Sequence, residues 1–311
     1  QLYNPDPQAW TEIDRAWAAY FPKNGPARGV LGVAKLPDTP VEINAVAVRN
    51  LADKKVFGQG VVPPAVGAAG RVYVSAVFGV AADGSVPGDP AAETKLALDR
   101  MGEALRLAGL DYRHMVFVNP YITDRVGYGP MSDVYAKYFE FGNTPARATI
   151  EVSGLPGGAH VEFTGVAVRD LAERRAVRPK NMPPSPTASP CVFAGDTLFC
   201  SAKSAFIPGP NSGIYAAGVE EQVRMSFRNL IDGLEEGGLT LADVVASNVY
   251  LDDMSDFGAM NRVYAQYFGE APPTRTTVQQ LPPVAERKAN DKGAWPPLEQ
   301  ISFIAVKRSA N

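Results

Sequence analysis

One ordered set of motifs is written three times along this chain, and that recurrence limits the fold more than any other feature. The middle copy carries Tyr135, Tyr138 and Phe139 at helical spacing, then Thr144-Pro145-Ala146-Arg147, Leu155-Pro156, and an alternating run from Val161 to Arg169. Upstream, Trp17, Tyr20 and Phe21 lead into Pro26-Ala27-Arg28, Leu36-Pro37 and a run from Val41 to Arg49. Downstream, Tyr264, Tyr267 and Phe268 lead into Pro273-Thr274-Arg275, Leu281-Pro282 and a run from Leu298 to Arg308. The motif arginines recur every ~120–130 residues, an ordinary domain size, so the 311 residues divide into two to three domains.

The boundaries follow from what each copy contains. Residues 1–51 read as a strand end, a helix over about 8–21, and strands near Arg28–Lys35 and Val41–Arg49; this is the second half of a copy. Residues 52–172 are complete. A hairpin from Pro64 to Ser75 precedes a helix with Leu98, Met101, Leu105 and Ala108 on one face and Gly109 as its stop. A strand at Met115–Val118, a short helix ending at Tyr138-Phe139 and two further strands give the order β-β-α-β-α-β-β. After a Pro/Ser-rich crossing segment, Pro179 to Pro190, residues 173–311 repeat that order, with Val223, Phe227, Leu230 and Leu234 on the long helix and an inserted loop from Pro283 to Pro297. A half-copy alone leaves a sheet edge and an apolar face uncovered, so an upstream segment of roughly 60–70 residues, or a further chain, is expected to complete it.

Composition removes several function classes. The chain is 46% hydrophobic and 20% charged, with a formal net charge of −3 and a pI near 5.6. It has no basic stripe, which argues against nucleic acid and anionic membranes as partners. No apolar run approaches the ~18 residues of a membrane span. Two cysteines and two histidines do not supply a four-ligand zinc site, so no metal is expected. The glycine-rich Val66 to Gly70 lacks the context of a phosphate loop, so no nucleotide cofactor is implied. If Gly195-Asp196 is a two-residue turn, Cys191 and Cys200 lie opposite each other as a close cross-strand pair. Both outcomes stay open: reduced thiols fit a cytoplasmic setting, a bridge a secreted or periplasmic one.

The repeated polar residues suggest a site. Arg28, Arg147 and Arg275 follow proline-containing turns, and a planar guanidinium suits bidentate capture of a carboxylate, although a recurring inter-domain ion pair would look the same. Glu162 and Glu42 sit on the following strand, where a carboxylate can act as general base; Gln300 takes that position in the third copy, and Glu299 falls on the opposite face. The helix-end aromatics read as core packing.

Pro145-Ala146-Arg147, Leu155-Pro156, Glu162 and Ala167-Val168-Arg169 resemble, in that order, the series of the Rid (reactive intermediate deaminase, YjgF) family, and the resemblance covers nearly the whole chain. It implies an α+β fold of chorismate-mutase-like β-β-α-β-α-β-β units in tandem, forming an intramolecular pseudo-trimer with sheets packed inward and ligand clefts between copies. It further implies cofactor-independent hydrolysis of small carboxylate-bearing enamines or imines derived from amino acids, with the motif Arg gripping the carboxylate and the Glu orienting water. Arg147 and Glu162 belong to the best-matching copy and are expected at its centre, with Ser75, Ser201, Thr149 and Thr277 as neighbours. The family's Ser-Gly is Ser-Ala here, at Ala76 and Ala202. Thr149, Thr277 and Val30 stand where deaminating members often carry Cys, and the aromatic often found in the first strand is absent, Ala65 and Cys191 following Pro64 and Pro190. These departures favour a second reading, a non-catalytic carboxylate binder or sensor. The third, endoribonuclease-like activity, is opposed by the acidic pI.

Overall fold

The computed structural model describes residues 1–180 and 182–308. The first copy supplies β1 (Leu2–Asn4), α1 (Trp10–Tyr20), β2 (Val30–Gly32) and β3 (Glu42–Ile43). The second supplies β4 (Lys55–Phe57), β5 (Ala65–Ala68), β6 (Arg71–Phe78), α2 (Pro90–Leu107), β7 (Met115–Ile122), α3 (Tyr128–Tyr135), β8 (Ala146–Arg147), β9 (Ile150–Glu151) and β10 (Val161–Val168). The third supplies β11 (Arg174–Val177), β12 (Cys191–Ala194), β13 (Thr197–Cys200), α4 (Val219–Glu236), β14 (Val244–Leu251), α5 (Phe257–Phe268), β15 (Thr274–Gln279) and β16 (Glu299–Val306).

The two complete sheets share one topology, β4-β5-β6-β10-β7-β8 with β9 beside β7, and β11-β12-β13-β16-β14-β15. The last strand of each copy therefore lies in the middle of its sheet, antiparallel to both neighbours, while β8 and β15 run parallel to β7 and β14 at one edge. Each sheet also has an outer strand, β4 or β11, that sequence reading passed over. Both come from the connection that follows the previous copy, and their charged residues hide the strand pattern.

Local chemistry explains the long helices. Asp89 caps α2 by accepting the Ala92 N–H, Pro90 sits in its first turn, and Gly109 at φ 74° ends it. The predicted stripe of Leu98, Met101 and Leu105 is fully buried against the sheet, as are Val223, Phe227 and Leu234 on α4. Each such side chain contributes roughly 1.5–3 kcal/mol through removal from water. The first copy departs from expectation: the Val41–Arg49 strand is formed only at Glu42–Ile43, and Val46 is exposed. In the complete copies that strand is flanked by the second hairpin strand, β6 or β13. No such hairpin exists in residues 1–51, so the chain beyond Ile43 lacks a neighbour to bond.

The three copies face one axis. Tyr3, Leu31, Tyr121, Ile150, Tyr250 and Val278, two from each copy, belong to a single buried cluster. A further cluster joins Phe117 and Ala148 of the second copy to Val192 and Phe199 of the third, with the Phe117 and Phe199 rings stacked at 5.8 Å. The tandem units thus form a pseudo-trimer around a shared core. Opposite Cys191 stands Cys200, as the Gly195-Asp196 turn predicts, and the two are bridged. α4 passes so close that a Cβ at Gly233 would lie 2.8 Å from the Cys191 sulfur, which explains a glycine within a helix. No helix among the described residues is long and apolar enough to cross a membrane.

Candidate active site between the copies

Each motif arginine lies on a seam with the next copy. In the first seam, Arg28 N–H donates to Ser75 Oγ (3.2 Å) and Arg28 C=O accepts from Ala76 N–H (2.9 Å). In the second, Arg147 N–H donates to Ser201 Oγ (2.8 Å) and its C=O accepts from Ala202 N–H (3.1 Å). The serine hydroxyls in turn donate to Pro63 C=O and Ser189 C=O, both at 2.6 Å. Ser75 and Ser201, expected as substrate contacts, thus clasp the seam and have no proton left for a ligand. Only backbone groups are used at Ala76 and Ala202, which is why replacement of the family's glycine leaves the clasp intact.

The glutamates do not face the arginines of their own copies. Glu162 feels the opposing charge of Arg28 from the first copy. A Cβ placed on Gly29, the residue after Arg28, would lie 2.9 Å from Glu162 Oε1. Glu42 lies beside Arg275, Thr276 and Thr277 of the third copy. Gln300 Nε2 reaches Thr149 C=O of the Arg147 strand at 3.1 Å. The pairs are therefore Arg28 with Glu162, Arg147 with Gln300 and Arg275 with Glu42. Arg147 and Glu162, expected together, fall on different seams, because the motif Arg occupies a sheet edge and meets the central strand of the neighbouring copy.

The three seams differ chemically. In the first, the Arg28 guanidinium contacts the exposed Asp14 carboxylate at 2.6 Å, lies 4.9 Å over the Trp17 ring, and keeps a buried Nη1 with no protein partner. Glu162 is fully buried, and neither carboxylate oxygen has a hydrogen bond among the described residues. Burial holds its carboxyl well above the usual range, against the pull of Arg28. In the second seam Arg147 is 5% exposed and already engaged by its own copy: it donates to Ser132 Oγ (3.1 Å) and to the Tyr128 hydroxyl, and lies 5.1 Å over both the Tyr128 and Tyr135 rings. Gln300 is likewise bonded, to Thr149 C=O and Gln280 Oε1. In the third, Arg275 lies 4.6 Å over Tyr264 and has no ion pair within 4 Å among the described residues. Burial raises the half-buried Glu42 carboxyl, with Thr277, Thr276 and Arg275 opposing the rise. Thr149 and Thr277 keep buried hydroxyls without partners, one on each of the last two seams.

Sequence reading missed the platforms under the arginines. Trp17, Tyr135 and Tyr264, the first aromatic of each helix-end pair, pack on the second as expected, with ring centroids 4.6–4.8 Å apart. Each also carries a motif guanidinium on its face, holding it in place by cation–π attraction. The signal was present in the nearly constant spacing from aromatic to Arg, 11 or 12 residues in each copy. Glu93 was missed too: buried on α2, it accepts from His160 N–H (2.6 Å) and Val161 N–H (3.0 Å), fixing the strand start just before Glu162. Gln222 does the same in the third copy, accepting from Leu298 N–H.

With this geometry in view, comparison with known proteins is decisive for family. The family model described as Endoribonuclease L-PSP matches residues 60–169 and again 181–286, more than half of the chain. The chain belongs to that family. Among similar members of the L-PSP/Rid family are a rat protein named 2-iminobutanoate/2-iminopropanoate deaminase, 34% identical over 125 residues, 37% of this chain and 90% of the relative. A RutC family protein of Pyrococcus horikoshii is 41% identical over 93 residues, 29% of this chain and 71% of the relative. A crystal structure of a chorismatase aligns over 79% of this chain and 76% of its own, with a TM-score of 0.53 and 16% identity, a likeness of fold alone.

Proposed function

We propose that this protein hydrolyses small carboxylate-bearing imines or enamines in the seam formed by Arg28 and Glu162. The observation that carries the reading is a fully buried carboxylate with both oxygens unpartnered, beside an arginine with a buried unpartnered N–H. Such groups cost roughly 1–3 kcal/mol each when left unsatisfied, and bound substrate and water would satisfy both. Arg28 receives the substrate carboxylate by exchanging its exposed contact with Asp14. Glu162 accepts a proton from the water that attacks the C=N carbon, and the resulting carbinolamine releases ammonia and a 2-oxo acid. Burial, by raising the Glu162 carboxyl, makes it a stronger base than an exposed carboxylate. The relatives named 2-iminobutanoate/2-iminopropanoate deaminase support the substrate class.

The second seam suits a different role. Its arginine is engaged by Ser132 and Tyr128 of its own copy and an amide stands in place of the carboxylate, so this seam serves to hold two copies together. The test is to generate 2-iminoacids in situ with an amino-acid oxidase and follow 2-oxo acid release. Arg28→Ala is expected to lower kcat/KM by about 10²-fold, the loss of a charge-assisted contact. Arg147→Ala is expected to keep the rate within about threefold and to melt earlier. Equal loss in both variants, or no acceleration by the wild type, would end this reading in favour of carboxylate binding without catalysis.

A further inference from the structure

The face of β10 that bears Glu162 meets a tyrosine, and the same is true in every copy. Across antiparallel strands, Tyr3 stands directly opposite Glu42, Tyr121 opposite Glu162, and Tyr250 opposite Gln300. Residues opposed in this way project from the same face with their side chains adjacent. All three tyrosines are 0–1% exposed and meet in the axial cluster. Their environments differ. Asn44 and Ser302, each two residues beyond the Glu position of its own copy, are tied to Asn248 at 2.6 and 3.3 Å. At the matching position beyond Glu162, Thr164 keeps a buried Oγ1 with no protein partner. The Tyr121 hydroxyl lies against Thr164 and likewise has no hydrogen bond of ordinary geometry among the described residues.

Two carboxylate oxygens and two hydroxyls of one strand pair thus lie together next to Gly29, the hydroxyls of Tyr121 and Thr164 against each other. Space for them depends on Gly29. A Cβ there would lie 2.9 Å from Glu162 Oε1 and 2.9 Å from Thr164 Cγ2. The corresponding residues on the other seams are Ala148 and Thr276. A hydroxyl can donate to a water while accepting from another, and a buried water needs two to four polar partners, which this cluster supplies.

We infer that Tyr121 and Thr164 are positioning residues that hold the attacking water against Glu162 from the axial side, in the space left by Gly29. The inference rests on the hydrolytic reading of the Arg28 seam. Tyr121 is held rigidly by the axial packing of Tyr250 and Tyr3, so its hydroxyl is fixed before substrate arrives, and ordering the water then needs little reorganisation.

The experiment compares Tyr121→Phe and Thr164→Val, both near-isosteric, with wild type in two readouts. The first is iminoacid hydrolysis, where kcat is expected to fall by about 10-fold with KM within about twofold. The second is infrared difference spectroscopy of the protonated Glu162 carboxyl in mildly acid buffer, its band assigned by disappearance in Glu162→Gln. Loss of the water's anchoring hydroxyl is expected to shift that C=O stretch to higher frequency. Wild-type kcat in both variants, or a fall in kcat with an unshifted band, which a packing defect alone would give, overturns the inference. If the wild type hydrolyses no imine, the function fails separately, and an unshifted band still refutes the water cradle while a shifted one upholds it.

Discussion

Replacing Glu162 by Gln is expected to remove iminoacid hydrolysis, lowering kcat by about 10²–10⁴-fold, while making the protein more stable at alkaline pH. The loss of rate follows from the loss of the buried carboxylate across the seam from Arg28. The gain in stability follows from linkage. The folded carboxyl lies well above its ordinary value because burial penalises the charged form. Between the unfolded value, near 4.3, and the folded one, the native state binds more protons than the unfolded state, so stability falls as pH rises through that window. An amide does not titrate, and Gln300 shows that the fold accepts one at the equivalent place. The variant should therefore match wild type near pH 5 and exceed it near pH 9, measured by denaturant unfolding. Activity and stability would then move in opposite directions at one residue, as expected where a functional group is kept buried and unsatisfied. Retained hydrolysis, or a stability difference independent of pH, would contradict the assignment.

A second large effect is predicted far from the seams. Glu299 lies on the opposite face of β16 from Gln300, inside the core between sheet and α4, where the second copy has Val161. It is 2% exposed, accepts from Ser226 Oγ at 2.5 Å through Oε1, and leaves Oε2 unpartnered. Burial pushes its carboxyl up to about 8, with Ser226 pulling the other way. The sign is the same as for Glu162. Stability is intact below the unfolded value and is lost as pH rises from about 4.3 towards 8. Glu299→Gln keeps the Ser226 contact and removes the titration, so its Tm is expected to exceed wild type by roughly 4–8 °C at pH 9 and to match it at pH 5. Because Glu299 faces the core, on the opposite side of β16 from Gln300 and away from the Arg28 seam, imine hydrolysis should be unchanged. Equal melting curves at pH 9 would show that the carboxyl escapes its burial by local rearrangement.

Much of this was readable from the chain because it depends on short-range pattern. The Leu98, Met101 and Leu105 stripe, the glycine stops and the Cys191 to Cys200 register are fixed by neighbours within a few residues. Placing Glu299 and Gln300 on opposite faces needed only the two-residue period of a strand. The seam pairing was hidden for the opposite reason. Arg147 and Glu162 are close in sequence and share every motif, yet Arg147 meets Ser201 and Glu162 meets Gly29, contacts that depend on how one copy docks against the next. Thr149 and Thr277 could be placed near the motif arginines, but nothing in sequence says that each faces a different copy's central strand. The tyrosines at 3, 121 and 250 carried a usable signal, since each precedes its motif Arg by about 25 residues. Their role emerges only when the opposite strand is known.

The central claim is that ligand chemistry belongs to the seam of Arg28 and Glu162 and not to the seam of Arg147 and Gln300. Crystals soaked with a small 2-oxo acid, the product of the proposed reaction, address it directly. The expected density has its carboxylate on the Arg28 guanidinium, displacing Asp14, and its carbonyl carbon towards Glu162. Density on Arg147 beside Gln300, with the Arg28 seam unchanged, would contradict the account.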